Sequence, residues 1–207
     1  MYTCSMCREK FCDIGELDKA PNNCPSKDKE EIAKYKELYK QEENYNIAYN
    51  SAIVEAECYS RKTRIEETIE FARRCGYKNL GLAFCIGFSN EAKELSKVLK
   101  HNGFVVNSVA CKNCSIPKEF IEIKEDEKLS PDSFEPMCNP IGQAHFLNKE
   151  KTDLNIVIGL CVGHDTLFLK YSNAPVTVLA VKDRVLAHNP LGALYLSGSY
   201  YKKKLYK

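Results

Sequence analysis

The stretch Leu154-Asn-Ile-Val-Ile-Gly-Leu160 is almost entirely apolar and lacks the alternation of a half-buried strand. Val176-Thr-Val-Leu-Ala-Val181 has the same character. Strands of this kind are covered on both faces, as in a parallel sheet flanked by crossover helices. Two more apolar runs, Asn79 to Phe84 and Phe104 to Ala110, precede or follow helical patterns. The sequence therefore predicts an α/β domain with an open, mostly parallel sheet of the doubly wound, Rossmann-like type.

Helix signals lie between these strands. Residues Ser89 to His101 have apolar side chains at helical spacing. Asn139-Pro140 is a cap followed by proline, which opens a helix to about Lys149, and Asn189-Pro190 repeats this signal. A further helix is expected over roughly His164 to Tyr171.

The chain divides into three predicted regions. Residues 1–25 have almost no periodic apolar face and are expected to form a metal-binding cysteine knuckle. Residues 26–62 have helical periodicity and are expected to pack on the core as a helical segment. Residues 63–207 form the α/β domain.

The chain has 207 residues and 11 cysteines, an odd number that cannot all pair within the chain. The start lacks a basic segment followed by an apolar run, and nowhere do 18 consecutive apolar residues occur, so neither a secretory signal nor a membrane span is expected. This favours a reducing cytoplasm, where cysteines at motif spacing are metal ligands or catalysts rather than disulfides. The net charge of +2 favours neither a nucleic-acid nor a membrane partner.

Four cysteines lie near the N-terminus: Cys4, Cys7, Cys12 and Cys24. The first two, separated by two residues, can reach one metal from a tight turn. Because this segment has no core in which to bury thiols, a metal site is favoured over idle cysteines. Zinc is the usual ion of a closed four-thiolate site, but four thiolates also hold an iron–sulfur cluster.

A second set of cysteines follows the predicted strands. Its members are Cys85, Cys111, Cys114, Cys138 and Cys161. The carboxyl ends of parallel strands share one edge, where ligands bind, so these thiols are expected to converge. Five thiols exceed the four of a simple zinc site and favour a 4Fe–4S cluster, although spacing alone does not exclude zinc. Cys58 and Cys75 lie in helical patterns and are interpreted as packed thiols.

Polar residues fall at the same edge. His164 and Asp165 lie in the first turn of a helix, and Lys182 and Arg184 close the fourth strand. Each has an ordinary structural alternative, as a helix cap or a surface ion pair. The candidate catalytic residues are His164, Asp165, Lys182 and Arg184, and the candidate cofactor-binding residues are Lys112 and Asn139.

A long loop, Ser115 to Met137, connects two candidate ligands. Loops of this length are often lids or binding loops, so a lid over the sheet edge is a hypothesis.

Several stretches together resemble a known family. They are Cys4-Ser-Met-Cys7, Phe84-Cys-Ile-Gly-Phe88, Cys111-Lys-Asn-Cys114, Met137-Cys-Asn-Pro-Ile-Gly-Gln143, Gly159-Leu-Cys-Val-Gly-His-Asp165 and Val181-Lys-Asp-Arg-Val-Leu-Ala-His-Asn-Pro190. The chain resembles, over nearly its whole length, a family of cysteine-rich, uncharacterised proteins found largely in anaerobes and described as metal-binding. The resemblance implies metal binding through cysteines and supplies no reaction. An anaerobic setting favours oxygen-sensitive iron–sulfur clusters.

Three functions follow as hypotheses. The first is an iron–sulfur protein with redox or sulfur-handling chemistry, served by a redox partner or a small anionic substrate. The second is a zinc-binding interaction or metal-trafficking module without catalysis. The third is a thiol enzyme in which Cys161 is the nucleophile beside His164. Whether the chain is an enzyme stays open at this point.

Overall fold

The computed structural model describes residues 1–207, which form two compact units, Met1–Tyr59 and Ser60–Lys207. The predicted packing of residues 26–62 on the sheet domain stays a prediction. No helix is both long enough and apolar enough to cross a membrane.

The second unit is built around a sheet of four parallel strands in the order β2-β1-β3-β4. The strands are β1 (Asn79–Phe84), β2 (Val105–Ala110), β3 (Leu154–Leu160) and β4 (Val176–Val181). The helices of this unit are α3 (Arg64–Arg74), α4 (Ser89–His101), α5 (Pro140–Lys149), α6 (His164–Tyr171), α7 (Leu191–Tyr195) and α8 (Lys202–Leu205). The predicted Rossmann-like α/β class is confirmed. The strand order reverses between β1 and β3, and ligands bind beyond the carboxyl ends of strands at such a point.

Burial along the strands follows their position in the sheet. Every residue of β3 is buried, because β3 lies between two other strands and beneath helices. All six residues of β4 are only partly buried, because β4 is an edge strand. The burial of β4 shows no alternation between its two faces, but the apolar run alone did not distinguish an edge strand from a central one.

Helices cover the sheet with the apolar positions that their periodicity predicts. The core includes Leu95 and Leu99 of α4, Leu147 of α5 and Phe168 of α6, all nearly inaccessible to solvent. Thr63 caps α3 through a reciprocal capping box with Glu66, which satisfies two backbone donors at the start of the helix.

Gly159, near the end of β3, has a φ of +62°. A Cβ atom at this position would lie 2.1 Å from a ring carbon of Phe88. Only glycine combines this backbone conformation with this close approach at low cost.

Gly159→Ala is therefore expected to lower the free energy of unfolding by roughly 2–4 kcal/mol, the sum of left-handed strain and overpacking. Urea denaturation of the full chain measures the change. Gly198→Ala is the matched control, because nothing lies within 4 Å of its added Cβ. Equal stability of the two variants would contradict this account of β3.

The first unit contains α1 (Lys29–Leu38) and α2 (Glu42–Cys58), preceded by three short 3-10 turns. Its buried side chains are few: Ala20, Asn50, Val54 and Cys58. Asp28 caps α1 by accepting a hydrogen bond from the Glu31 amide. Residues 1–28 thus contribute very little buried apolar surface, which is the driving force that normally orders a chain.

Candidate functional site

The four N-terminal cysteines line one cavity. Cys4, Cys7, Cys12 and Cys24 surround a volume of about 80 Å³. One water occupies roughly 10–15 Å³ on this measure, so the cavity exceeds the space of a single small ion. In a tetrahedral zinc site with Zn–S of about 2.3 Å, the four sulfurs would lie only about 3.8 Å apart.

Backbone and side-chain hydrogen bonds bring the distant Cys24 to the first pair of cysteines. The Asn23 amide donates to the Met1 carbonyl at 3.1 Å and to Thr3 Oγ1 at 3.0 Å. The Cys7 amide donates to the Cys4 carbonyl at 3.1 Å in a tight turn. These bonds join the two ends of the segment beside the cavity, where few side chains are buried.

The remaining walls of this cavity are mainly apolar. The lining side chains other than cysteine include Phe11, Ala20, Pro21, Pro25 and the basic Lys10. An apolar wall with one cation suits a thiolate-bound group that carries net negative charge.

Three thiols of the second set directly follow parallel strands. The Cys85 amide donates to the Ile158 carbonyl at 3.1 Å, and the Cys111 amide donates to the Phe84 carbonyl at 2.9 Å. These bonds extend the sheet ladder by one residue, so both sulfurs lie at its carboxyl edge. Cys161 follows β3 at the same edge.

Cys138 reaches this edge from the start of α5. The Asn139 amide donates to the Cys111 carbonyl at 2.7 Å, which joins the backbone before α5 to the end of β2. The fully buried Gln143 amide donates to the carbonyls of Phe84 and Val109, at 3.1 and 2.7 Å, and so fixes the first turn of α5 against β1 and β2.

The thiols of Cys111 and Cys138 interact with each other, and His164 also interacts with Cys138. Hydrogen bonds from Cys111 and then from His164 lower the pKa of Cys138 to about 4, because both stabilise its thiolate. The contact with Cys138 and burial raise the pKa of Cys111. The Cys138 thiolate in turn raises the pKa of His164. Cys138 and His164 are therefore paired so that each favours the charged form of the other.

Cys161 has a different partner. The Arg184 guanidinium donates to Cys161 Sγ at 3.2 Å, and this contact raises the pKa of Arg184, with smaller contributions from Cys85 and Cys138. The His164 amide donates to the Cys161 carbonyl at 3.0 Å, but the imidazole of His164 faces Cys138. The hypothesis of a nucleophile beside His164 is thus better matched by Cys138 than by Cys161.

Cys114 is set apart from the other four thiols of this group. It is exposed, has a φ of +64°, and forms no hydrogen bond with any of them. Of the two remaining cysteines, Cys58 is buried at the end of α2, as predicted, and Cys75 is partly buried at the end of α3.

The other predicted site residues have identifiable contacts. Lys182 Nζ lies 4.1 Å from the centroid of the Phe88 ring, and Lys112 Nζ donates to the Pro136 carbonyl. Asp165 is partly buried, and its carboxylate accepts from the Thr166 amide at 2.8 Å. Asn139 caps α5 by accepting from the Gly142 amide at 2.9 Å, so its side chain has a structural partner.

Sequence reasoning missed two residues that shape this edge. Asn113 donates to the carbonyls of Ala110 and Asn139 and accepts from the Asn139 amide group, so it links the end of β2 to the cap of α5. Ile86 donates its amide to Cys111 Sγ at 3.3 Å. The position of Asn113 between two motif cysteines was the available signal, whereas a backbone donor leaves no signal in the sequence.

The long loop has an ordered interior. The Lys128 ammonium, whose side chain is 3% exposed, pairs with Glu119 at 2.6 Å and Glu125 at 2.7 Å. Lys118 pairs with Glu135 at 2.6 Å. Ion pairs therefore hold this loop together where apolar contacts do not, and its role as a lid stays a prediction.

Lys128→Met is expected to open this loop, because two carboxylates lose their shared cation. Chymotrypsin cleavage at the exposed Phe120 and Phe134 should then become several-fold faster. Lys124→Met is the control, since Lys124 is an exposed lysine of the same loop outside the ion pairs. Unchanged cleavage of the Lys128 variant would show that these ion pairs do not order the loop.

Across residues 1–207, no three or more His, Cys, Asp or Glu side chains lie close enough together to hold a single metal ion. Both predicted metal sites, at the N-terminal cavity and at the sheet edge, stay predictions.

Comparison with known proteins decides the family. A family model described as "Protein of unknown function (DUF1847)" matches residues 24–179, which include Cys24 and all five sheet-edge cysteines. The chain belongs to the DUF1847 family. It is also 50% identical to uncharacterised protein MJ0455 of Methanocaldococcus jannaschii over 202 residues, which is 98% of this chain and 97% of that relative. No solved structure matches the chain. The DUF1847 match leaves Cys4, Cys7 and Cys12 outside the family model.

Proposed function

We propose that this DUF1847 protein is an iron–sulfur protein whose N-terminal unit binds a 4Fe–4S cluster through Cys4, Cys7, Cys12 and Cys24. The observation that carries the proposal is that these four thiols line one cavity of about 80 Å³. Four thiolates around a space larger than one ion match the ligand set of a cubane cluster.

The surroundings of the cavity suit electron transfer. The cluster, when bound, would supply a one-electron couple. Lys10 offsets part of the negative charge of four thiolates, and Phe11 and the two prolines exclude water from one side. Cys4 and Cys12 are exposed, which leaves a short path to a redox partner.

Structural zinc at the same four cysteines is the second candidate function. Residues 1–28 have few buried side chains, so this segment needs a bound metal to fold. Structural zinc would meet that need as well as a cluster would. In that case the N-terminal unit would be an interaction or metal-trafficking module without redox chemistry.

Anaerobic purification of the full chain, followed by iron, sulfide and zinc analysis and electron paramagnetic resonance after reduction, separates these candidates. The proposal expects about four iron and four sulfide per chain. About eight iron and eight sulfide per chain would support a second cluster, at the sheet edge. A colourless protein with stoichiometric zinc would support the zinc module and overturn the cluster, and a metal-free protein would overturn both.

A further inference from the structure

We propose that Cys111 and Cys138 form a dithiol–disulfide couple that reduces disulfide substrates, with Cys138 as the attacking thiol and Cys111 as the resolving thiol. This inference is independent of the N-terminal cluster. It assigns a chemical role to two sheet-edge thiols that the proposed function does not use.

The backbone already holds the two cysteines within disulfide range. The hydrogen bond of 2.7 Å from the Asn139 amide to the Cys111 carbonyl joins residues 111 and 139 directly. A disulfide requires Cα atoms about 4.4–6.8 Å apart, and residues beside such a backbone bond fall in this range. The two thiols also interact with each other.

The two thiols differ in access. Cys111 is 2% exposed, whereas Cys138 is half-buried and open to solvent beside the partly buried His164. A substrate therefore reaches only Cys138. Cys111 is placed for the second step, where the Ile86 amide, 3.3 Å from its sulfur, stabilises the thiolate that must attack.

The sequence alone would suggest a different pair. Cys111 and Cys114 are separated by two residues, the spacing of many redox motifs. In the structure Cys114 is exposed with a φ of +64°, and the thiol that interacts with Cys111 is Cys138, 27 positions after Cys111 in the chain.

The reaction balances as two thiol–disulfide exchanges. The Cys138 thiolate attacks one sulfur of the substrate disulfide, the substrate S–S bond breaks, and the leaving thiolate takes a proton from solvent. Cys111 then loses its proton to solvent and attacks Cys138 Sγ, which releases the second substrate thiolate. The substrate gains two electrons, and the protein is left with a Cys111–Cys138 disulfide.

The full chain, purified anaerobically and treated with glutathione disulfide, provides the test, with bonds mapped by mass spectrometry of unreduced peptides. Wild type should form the Cys111–Cys138 disulfide with no stable adduct. Cys111→Ser should accumulate one glutathionyl group on Cys138, and Cys138→Ser should form neither product. Cys114→Ser is the matched control and should behave as wild type.

Three results would overturn the couple. One is a Cys111–Cys114 disulfide in wild type. Another is an equal glutathionyl adduct on Cys138 in wild type and Cys111→Ser. The last is complete protection of Cys111 and Cys138 in protein that retains sheet-edge iron, which would assign them as ligands. None of these results bears on iron bound at the N-terminal cavity, so the two proposals fail separately.

Discussion

Cys24→Ala is expected to remove the metal from the N-terminal unit and to disorder residues 1–28. Cys24 is the proposed ligand that comes from the far end of the segment, next to the Asn23 hydrogen bonds, and it lines the cavity. Metal binding is worth about 10–16 kcal/mol in small zinc-folded peptides, and residues 1–28 have little else to order them. Iron content should fall by about four per chain, and amide hydrogen exchange in residues 1–28 should become as fast as in an unfolded peptide.

Ser5→Ala is the matched control, because Ser5 lies in the same turn and does not line the cavity. It should retain both the metal and the slow exchange. A Cys24→Ala protein with unchanged iron and unchanged exchange would mean that this cysteine is not a ligand.

Cys138 is expected to react with iodoacetamide at a nearly constant rate from pH 5 to pH 8 in metal-free protein. Its pKa is lowered to about 4, so it is a thiolate throughout this range. An ordinary thiol, with a pKa of about 8.5, gains roughly tenfold in rate per pH unit here. After the weaker nucleophilicity of a low-pKa thiolate is included, Cys138 should still react roughly 30-fold faster than such a thiol at pH 5.

His164→Gln should restore a pH dependence to Cys138, because the pKa of the thiol rises when its imidazolium partner is removed. The substitution should therefore slow the labelling of Cys138 most at pH 5 and least at pH 8. A short cysteine peptide, whose thiol has an ordinary pKa, is the reference and should keep its steep dependence on pH. If Cys138 in wild type labels in parallel with that peptide, the thiolate–imidazolium pair is refuted.

Much of the fold could be predicted from the sequence because the signals are local. The buried β3 is an uninterrupted apolar run, and the Asn139-Pro140 pair fixes the start of α5 to the residue. The arrival of Cys85, Cys111 and Cys161 at one edge followed from topology alone, since parallel strands end on the same side.

The pairing of the sheet-edge thiols could not be predicted in this way. Sequence proximity places Cys161 three residues before His164, whereas the imidazole faces Cys138 because α5 is anchored on β1 and β2 by Gln143. The partner of Cys161 is instead Arg184, which arrives from beyond β4. Contacts between elements so far apart along the chain depend on packing angles that local patterns do not encode.

X-ray absorption at the iron edge of the anaerobically prepared full chain, compared with Cys24→Ala, tests the N-terminal cluster most directly. The account predicts an all-sulfur first shell with a metal–metal shell in wild type, and a loss of the corresponding iron in the variant. A first shell of oxygen and nitrogen, or an identical iron signal in both proteins, would contradict it.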